Sequence, residues 1–284
     1  MAAYGYPIAF ALFVWWFSTG LIIALDNLPR RTFRWSMAGG TAVLAASLLG
    51  LARSSADASV GGAYAAFTCG LLVWGWQEMS FFMGFVTGPR RAPCSEGSAG
   101  WRRFGEATGA MLYHELAIVA SAVAVVALTW GGANQVGTWT FVILWLMRQS
   151  AKLNVFLGVR NLNEEFLPED LRYLGSFFTR KPMNLLFPMS ITVSTIAAAL
   201  LAYRAYEADS GSFAATGLTF LATMTALGLL EHWLMVLPLP FAALWHWALG
   251  ARRAFFRLTQ FQRRPQKANL NPTRGRVVPH VRQA

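Results

Sequence analysis

Apolar residues in this chain fall in long blocks, without the alternation of a half-buried strand or the narrow stripe of a surface helix. Uncharged or nearly uncharged segments cover residues 6–25, 35–52, 62–86, 108–130, 138–158, 184–203 and 213–236. Each is near the ~20 residues needed to cross a hydrocarbon core about 30 Å thick, so the pattern predicts seven membrane-spanning helices. The last block runs on to Gly250 through Pro238 and Pro240. One straight helix over 213–250 would be roughly 57 Å long at 1.5 Å per residue, too long for one crossing and too short for two with a turn. The reading is a single span broken near the prolines, followed by an interfacial segment at Trp245, His246 and Trp247.

Composition removes the competing classes. The 284 residues are 55% hydrophobic and 13% charged, about half the charged fraction of a soluble domain. A soluble enzyme, a disulfide scaffold and a disordered chain are excluded. The expected fold class is therefore all-α, a polytopic transmembrane bundle over residues 1–250 with a basic cytoplasmic tail over 251–284.

Charge sets the orientation, because short cytoplasmic loops collect Lys and Arg. Basic residues crowd the connection after span one (Arg30, Arg31, Arg34), after span three (Arg90, Arg91, Arg102, Arg103) and after span five (Arg160, Arg172, Arg180, Lys181). The opposite loops hold only Arg53 and Arg204, while the tail holds nine basic residues and no acid. Odd and even connections segregate, giving N-out and C-in. No basic residue precedes the first block and a basic cluster follows it, which is the charge order of an anchor and not of a cleaved leader. The tail is expected to lie against anionic lipid, with Phe255, Phe256 and Phe261 suiting a short surface helix. It has no motif for nucleic acid.

Cys69 and Cys94 stand at different depths without a CxxC partner, which argues against a disulfide and against a cysteine-based metal centre. No Walker loop, GxGxxG, GxSxG or HExxH string occurs. Candidate chemistry lies instead in the ionisable residues at membrane depth, which are costly there and by default mark function. They are Glu78 in span three, His114 and Glu115 in span four, Arg148 and Lys152 in span five, and Glu231 with His232 in span seven. Alternating helix directions put them all roughly 8–12 Å from the cytoplasmic boundary, as one polar layer.

Three readings of that layer stay open. Arg148 and Lys152, four apart on one face, need carboxylate partners, so the layer can be an ion-pair lattice that fixes packing in a ligand-free scaffold. Glu78, His114, Glu115, Glu231 and His232 can be ligands to one iron or zinc ion. Against this, adjacent helical residues point about 100° apart and cannot both face one ion. Thirdly, His114 or His232 can be the axial ligand of a chlorophyll-type pigment, with Arg148, Lys152 and Asn154 near its polar substituents. The loop after span five combines Glu164, Glu165, Phe166 and Tyr173 with an acidic helix start at Glu169 and Asp170. It reads as a short interfacial helix under the bundle or a docking surface for a partner subunit.

Specific strings go further. Leu112 to Glu115 (LYHE), Asn134 to Gly137 (NQVG), Leu144 to Val159 (LWLMRQSAKLNVFLGV), Asn161 to Leu174 (NLNEEFLPEDLRYL), Trp76 to Glu78 and the Gly88, Pro89, Arg90 turn resemble the photosynthetic complex assembly protein 2 family, PuhE, of purple phototrophic bacteria. The likeness covers all seven spans and stops before the tail. It implies a multi-pass protein of the bacterial cytoplasmic or intracytoplasmic membrane, needed for build-up of the reaction centre and core antenna and linked to bacteriochlorophyll supply. Reaction-centre or antenna subunits and pigment-synthesis enzymes are the implied partners, and bacteriochlorophyll or a precursor the implied ligand. It assigns no catalytic residue. Binding or delivery of pigment is thus expected, against a metal-dependent enzyme acting on a tetrapyrrole or isoprenoid precursor.

Overall fold

Each apolar block forms one long helix. The computed structural model describes residues 2–162, 164–238 and 245–249. It contains α1 (Ala2–Asp26), α2 (Phe33–Ser54), α3 (Val60–Phe82), α4 (Gly100–Thr129), α5 (Val136–Leu157), α6 (Leu186–Glu207), α7 (Phe213–Leu234) and a short α8 (His246–Leu249). Among the described residues there is no strand, only an isolated bridge between Val159 and Arg180. The basic tail expected over 251–284 lies outside the described residues.

Local chemistry sets the helix ends. Ser59 and Ser212 accept hydrogen bonds from the backbone N–H of Gly62 and Ala215, capping α3 and α7. Asp57, just before α3, accepts from the Ser59 N–H at 2.9 Å. Hydrogen bonds from Ser59 hold its carboxyl below the usual carboxylate range. Helix α5 stops at Gly158, whose φ of 128° is open to glycine and strained for other residues.

Among the described residues five helices, α1, α2, α4, α6 and α7, are long and apolar enough to cross a membrane, as in a multi-pass membrane protein. Their outer faces are apolar in a helical rhythm: Leu116, Val119 and Val123 on α4, and Met189, Val193, Ile196 and Leu200 on α6, are all exposed. Water does not wet such faces favourably, and hydrocarbon does. Helices α3 and α5 are as long, at 23 and 22 residues, but carry Gln77, Glu78, Arg148, Gln149, Lys152 and Asn154. These two helices lie against each other. A Cβ built on Gly70 of α3 would collide with the Gly137 backbone of α5, and one on Gly137 with the backbone at Ala66. Small residues let the two backbones meet.

The core has an aromatic knot where α1, α3 and α7 converge. Phe67 stacks on Phe220 at 4.3 Å, and Tyr64 meets Phe220 edge-on at 4.8 Å. The segment expected at the membrane interface after span seven sits elsewhere. Trp245 is 1% exposed and its indole N–H donates to the Trp16 carbonyl at 3.2 Å. Trp16 precedes Asp26 by ten residues, about 15 Å of helix axis, so this segment packs beside the middle of α1, not at its end. The contact works because Gly20 leaves room for Trp247 and the buried indole finds an acceptor.

Candidate functional site

The expected polar layer divides by side-chain type, with the carboxylates and cations facing inward together. Glu78, Glu115, Arg148, Lys152 and Glu231 all line one cavity of about 690 Å³ between α1, α3, α4, α5 and α7, within the ~300–1,000 Å³ range of small-molecule sites. Arg148 pairs with Glu78 at 2.9 Å and Lys152 with Glu115 at 2.6 Å. Gln149 donates a further hydrogen bond to Glu115. Glu231 reaches the same space from α7, beside Trp15. The remaining wall is mostly aliphatic and aromatic, including Trp74, Phe82 and Phe156.

Three polar atoms at this cavity lack a hydrogen-bond partner among the described residues: Glu78 Oε1, Arg148 Nε and Asp26 Oδ1. Buried polar atoms are nearly always satisfied, so such a group of orphans beside an open volume is a place for a ligand or ordered water. Asp26 was not expected, because it closes α1 just past the apolar block and reads as a boundary residue. The only signal was its sign: an acid on the side that otherwise collects Arg.

The histidines turn away. His114 is 1% exposed, packs its ring on Phe81 at 4.5 Å and does not line the cavity, although the adjacent Glu115 does. His232 is engaged at both ring nitrogens: Nδ1–H donates to the Gly228 carbonyl and Nε2 meets Ser150 Oγ, each at 2.8 Å. The ~100° step between neighbouring helical residues separates Glu115 from His114 and Glu231 from His232. Among the described residues no three His, Cys, Asp or Glu side chains gather as a metal centre requires. The five expected metal ligands, Glu78, His114, Glu115, Glu231 and His232, are thus not brought together as one set.

Asn154, also expected near a ligand, is fully buried in a separate hydrogen-bond lattice. Its side-chain amide donates to the Ser150 carbonyl and to Ser190, and Asn184 donates to its Oδ1 at 3.0 Å. Asn184 Oδ1 in turn accepts from the N–H groups of Leu186 and Phe187. The lattice ties the end of α5 to the start of α6. It depends on tertiary contact between residues 30 apart and leaves no local sequence signal.

The loop after α5 folds back over the cavity. It contains two 3-10 segments, Glu164–Phe166 and Glu169–Phe177, where a short interfacial helix was expected. Leu162, Phe166, Leu167, Phe177 and Phe178 point into the cavity wall, and Leu171, Leu174 and Phe177 pack on Phe81, Ala107 and Ala110. Of the expected docking patch, Phe166 faces the cavity, Tyr173 is half-buried in that cluster, and Glu164 is exposed and paired with Arg180. The Glu165 side chain lies outside the described residues. Arg103 of α4 holds the loop down, donating to the Phe177 carbonyl at 2.6 Å and Thr179 Oγ1 at 2.7 Å while its guanidinium stacks over Phe156. Arg103→Ala should therefore raise amide hydrogen exchange across 171–179, by the equivalent of about 1.5–3 kcal/mol for hydrogen bonds to a charged group, with exchange in α1 unchanged. Exchange that stays as slow as in the unaltered protein would place the anchor elsewhere.

Comparison with known proteins follows the same extent as the helices. Residues 1–255 match the family described as proteins of unknown function, DUF3623. A protein of Rhodobacter capsulatus, described as an uncharacterised 30.4 kDa protein in the puhA 5′ region, is 43% identical over 243 residues, which cover 84% of this chain and 88% of that one. No solved structure matches the chain. A match over nearly the whole helical region makes this chain a member of the DUF3623 family.

Proposed function

We propose that this protein is an assembly factor of the PuhE type, which binds bacteriochlorophyll or a precursor and delivers it to the nascent reaction centre and core antenna. The process is supported by the relative's position beside puhA and by the string-level resemblance. The ligand role is carried by one observation: a largely apolar cavity of about 690 Å³ whose lining residues include three with an unpartnered polar atom. A scaffold whose charges only lock helices would need no such space. Glu78 and Glu115 already face Arg148 and Lys152, so the metal-dependent enzyme draws no added support.

In this reading the chain crosses the bacterial cytoplasmic membrane seven times. Helices α3 and α5 turn their polar side chains to the cavity, the N-terminus is outside, and the basic tail lies on anionic lipid in the cytoplasm. The loop over the cavity, on the side of the basic connections, faces the subunits or pigment enzymes that receive or supply the ligand.

The test is removal of the protein from a phototrophic host with two readouts. Reaction-centre and core-antenna absorbance should fall together, and the purified protein should carry a long-wavelength chlorin band. Normal photosynthetic complexes in the deletion strain would refute the process. Protein that stays colourless after extraction and after incubation with chlorins would refute the ligand role and favour the scaffold.

A further inference from the structure

The cavity contains a charge constraint that narrows its ligand. Its cations among the described residues are Arg148 and Lys152, and each already faces a carboxylate, Glu78 and Glu115. Asp26 and Glu231 add two more acids to the wall without adding a cation. If both are protonated, the wall is neutral; if both are ionised, it carries two negative charges in excess. In neither state is a positive charge left to match an incoming anion. An unmatched charge taken into a low-dielectric space costs far more than its desolvated neutral counterpart.

The orphaned atoms state what the ligand supplies. Asp26 Oδ1 and Glu78 Oε1 are acceptors awaiting donors, and Arg148 Nε is one donor awaiting an acceptor. Aromatic side chains at Trp74, Phe82 and Phe156 flank the space and suit a flat ring.

Resting on the reading of this cavity as the ligand site, we propose that it selects neutral or cationic amphiphiles bearing hydrogen-bond donors and rejects free carboxylic acids. Applied to tetrapyrroles, the esterified form is taken and the form with a free propionate is excluded. Asp26 and Glu78 are the residues that set this selectivity.

The experiment uses the full chain in detergent with two probes: pyropheophorbide a, a magnesium-free chlorin with a propionic acid, and its methyl ester. Binding is read from probe fluorescence at pH 7. The ester should bind at least about tenfold more tightly, the smallest consequence of one unmatched charge. Because an ester also enters micelles more readily, the deciding quantity is the change in this ratio in variants. Glu78→Gln frees the Arg148 guanidinium and should raise the affinity for the acid, narrowing the ratio about tenfold. Asp26→Asn breaks no ion pair, so it keeps the test valid if the first variant does not fold, and it should narrow the ratio in the same direction when binding is read at pH 9, where a buried carboxyl is ionised. An acid that binds as tightly as the ester, or a ratio unmoved in the folded variants, overturns the selectivity while leaving the cavity a ligand site. Failure of both probes to bind overturns the pigment reading and the selectivity together.

Discussion

Glu115→Ala should lower the stability of the purified protein by about 3 kcal/mol. Truncation strands the Lys152 ammonium, 2.6 Å from the carboxylate it loses, in a site where side chains are mostly covered. Breaking one partner of a buried pair typically costs ~3–5 kcal/mol, and water in the adjoining cavity moves the value to the lower end. Glu96→Ala, at an exposed loop position, should stay within about 0.5 kcal/mol. Thermal unfolding in detergent, followed by size-exclusion chromatography, separates the two. A double change of Glu115→Leu with Lys152→Met should recover most of the loss, because no charge is then left unpaired. Equal, small effects at Glu115 and Glu96 would show that the pair contributes nothing to the fold.

Gly70→Leu is expected to be at least as damaging, for a steric reason. The added side chain enters the space held by the Gly137 backbone, and neither helix can yield without moving Arg148, Lys152 and Glu78 apart. Overpacking costs typically ~1–3 kcal/mol where side chains can shift. Here the obstacle is main chain, so the variant should be found largely aggregated on extraction. Gly75→Leu serves as the contrast, since a Cβ at Gly75 meets only the flexible tip of Ile22 at 3.7 Å. If Gly70→Leu elutes as a folded species like the Gly75 variant, the close approach of α3 and α5 is not what holds the layer in register.

These residues show what a linear reading can and cannot extract. Helix positions were legible because block length is set by the solvent, one dimension at a time. Depth along a helix is linear too, so the common level of Glu78, Glu115, Arg148, Lys152 and Glu231 followed from counting 1.5 Å steps. Azimuth is different. Whether His114 or Glu115 faces the interior depends on how α4 is rotated against α3 and α5, and only packing decides that. Asp26 was obscured for a related reason: a residue at the margin of an apolar block reads as solvent-facing until another helix covers it. The loop after α5 reads as a helix under the bundle or as a docking surface, because the acids Glu164, Glu169 and Asp170 stand among apolar residues and composition does not choose between the two. Its apolar residues, Leu162, Phe166, Phe177 and Phe178, turn inward once Arg103 pins the backbone. The lattice around Asn154 and Asn184 and the seat of Trp245 on Trp16 join distant segments, which no local pattern encodes.

The docking of Trp245 against Trp16 also bears on biosynthesis. Helix α1 is the earliest to be translated, yet its neighbours include α7 and the short α8, which are among the last. For most of the time the ribosome is at work, α1 has only α2 and α3 for company, and the chamber it borders has an incomplete boundary. Closure awaits arrival of the indole at 245, more than 200 residues later, and such late, long-range pairing slows maturation. The wall of the cavity is thus complete only once nearly the whole chain has been made.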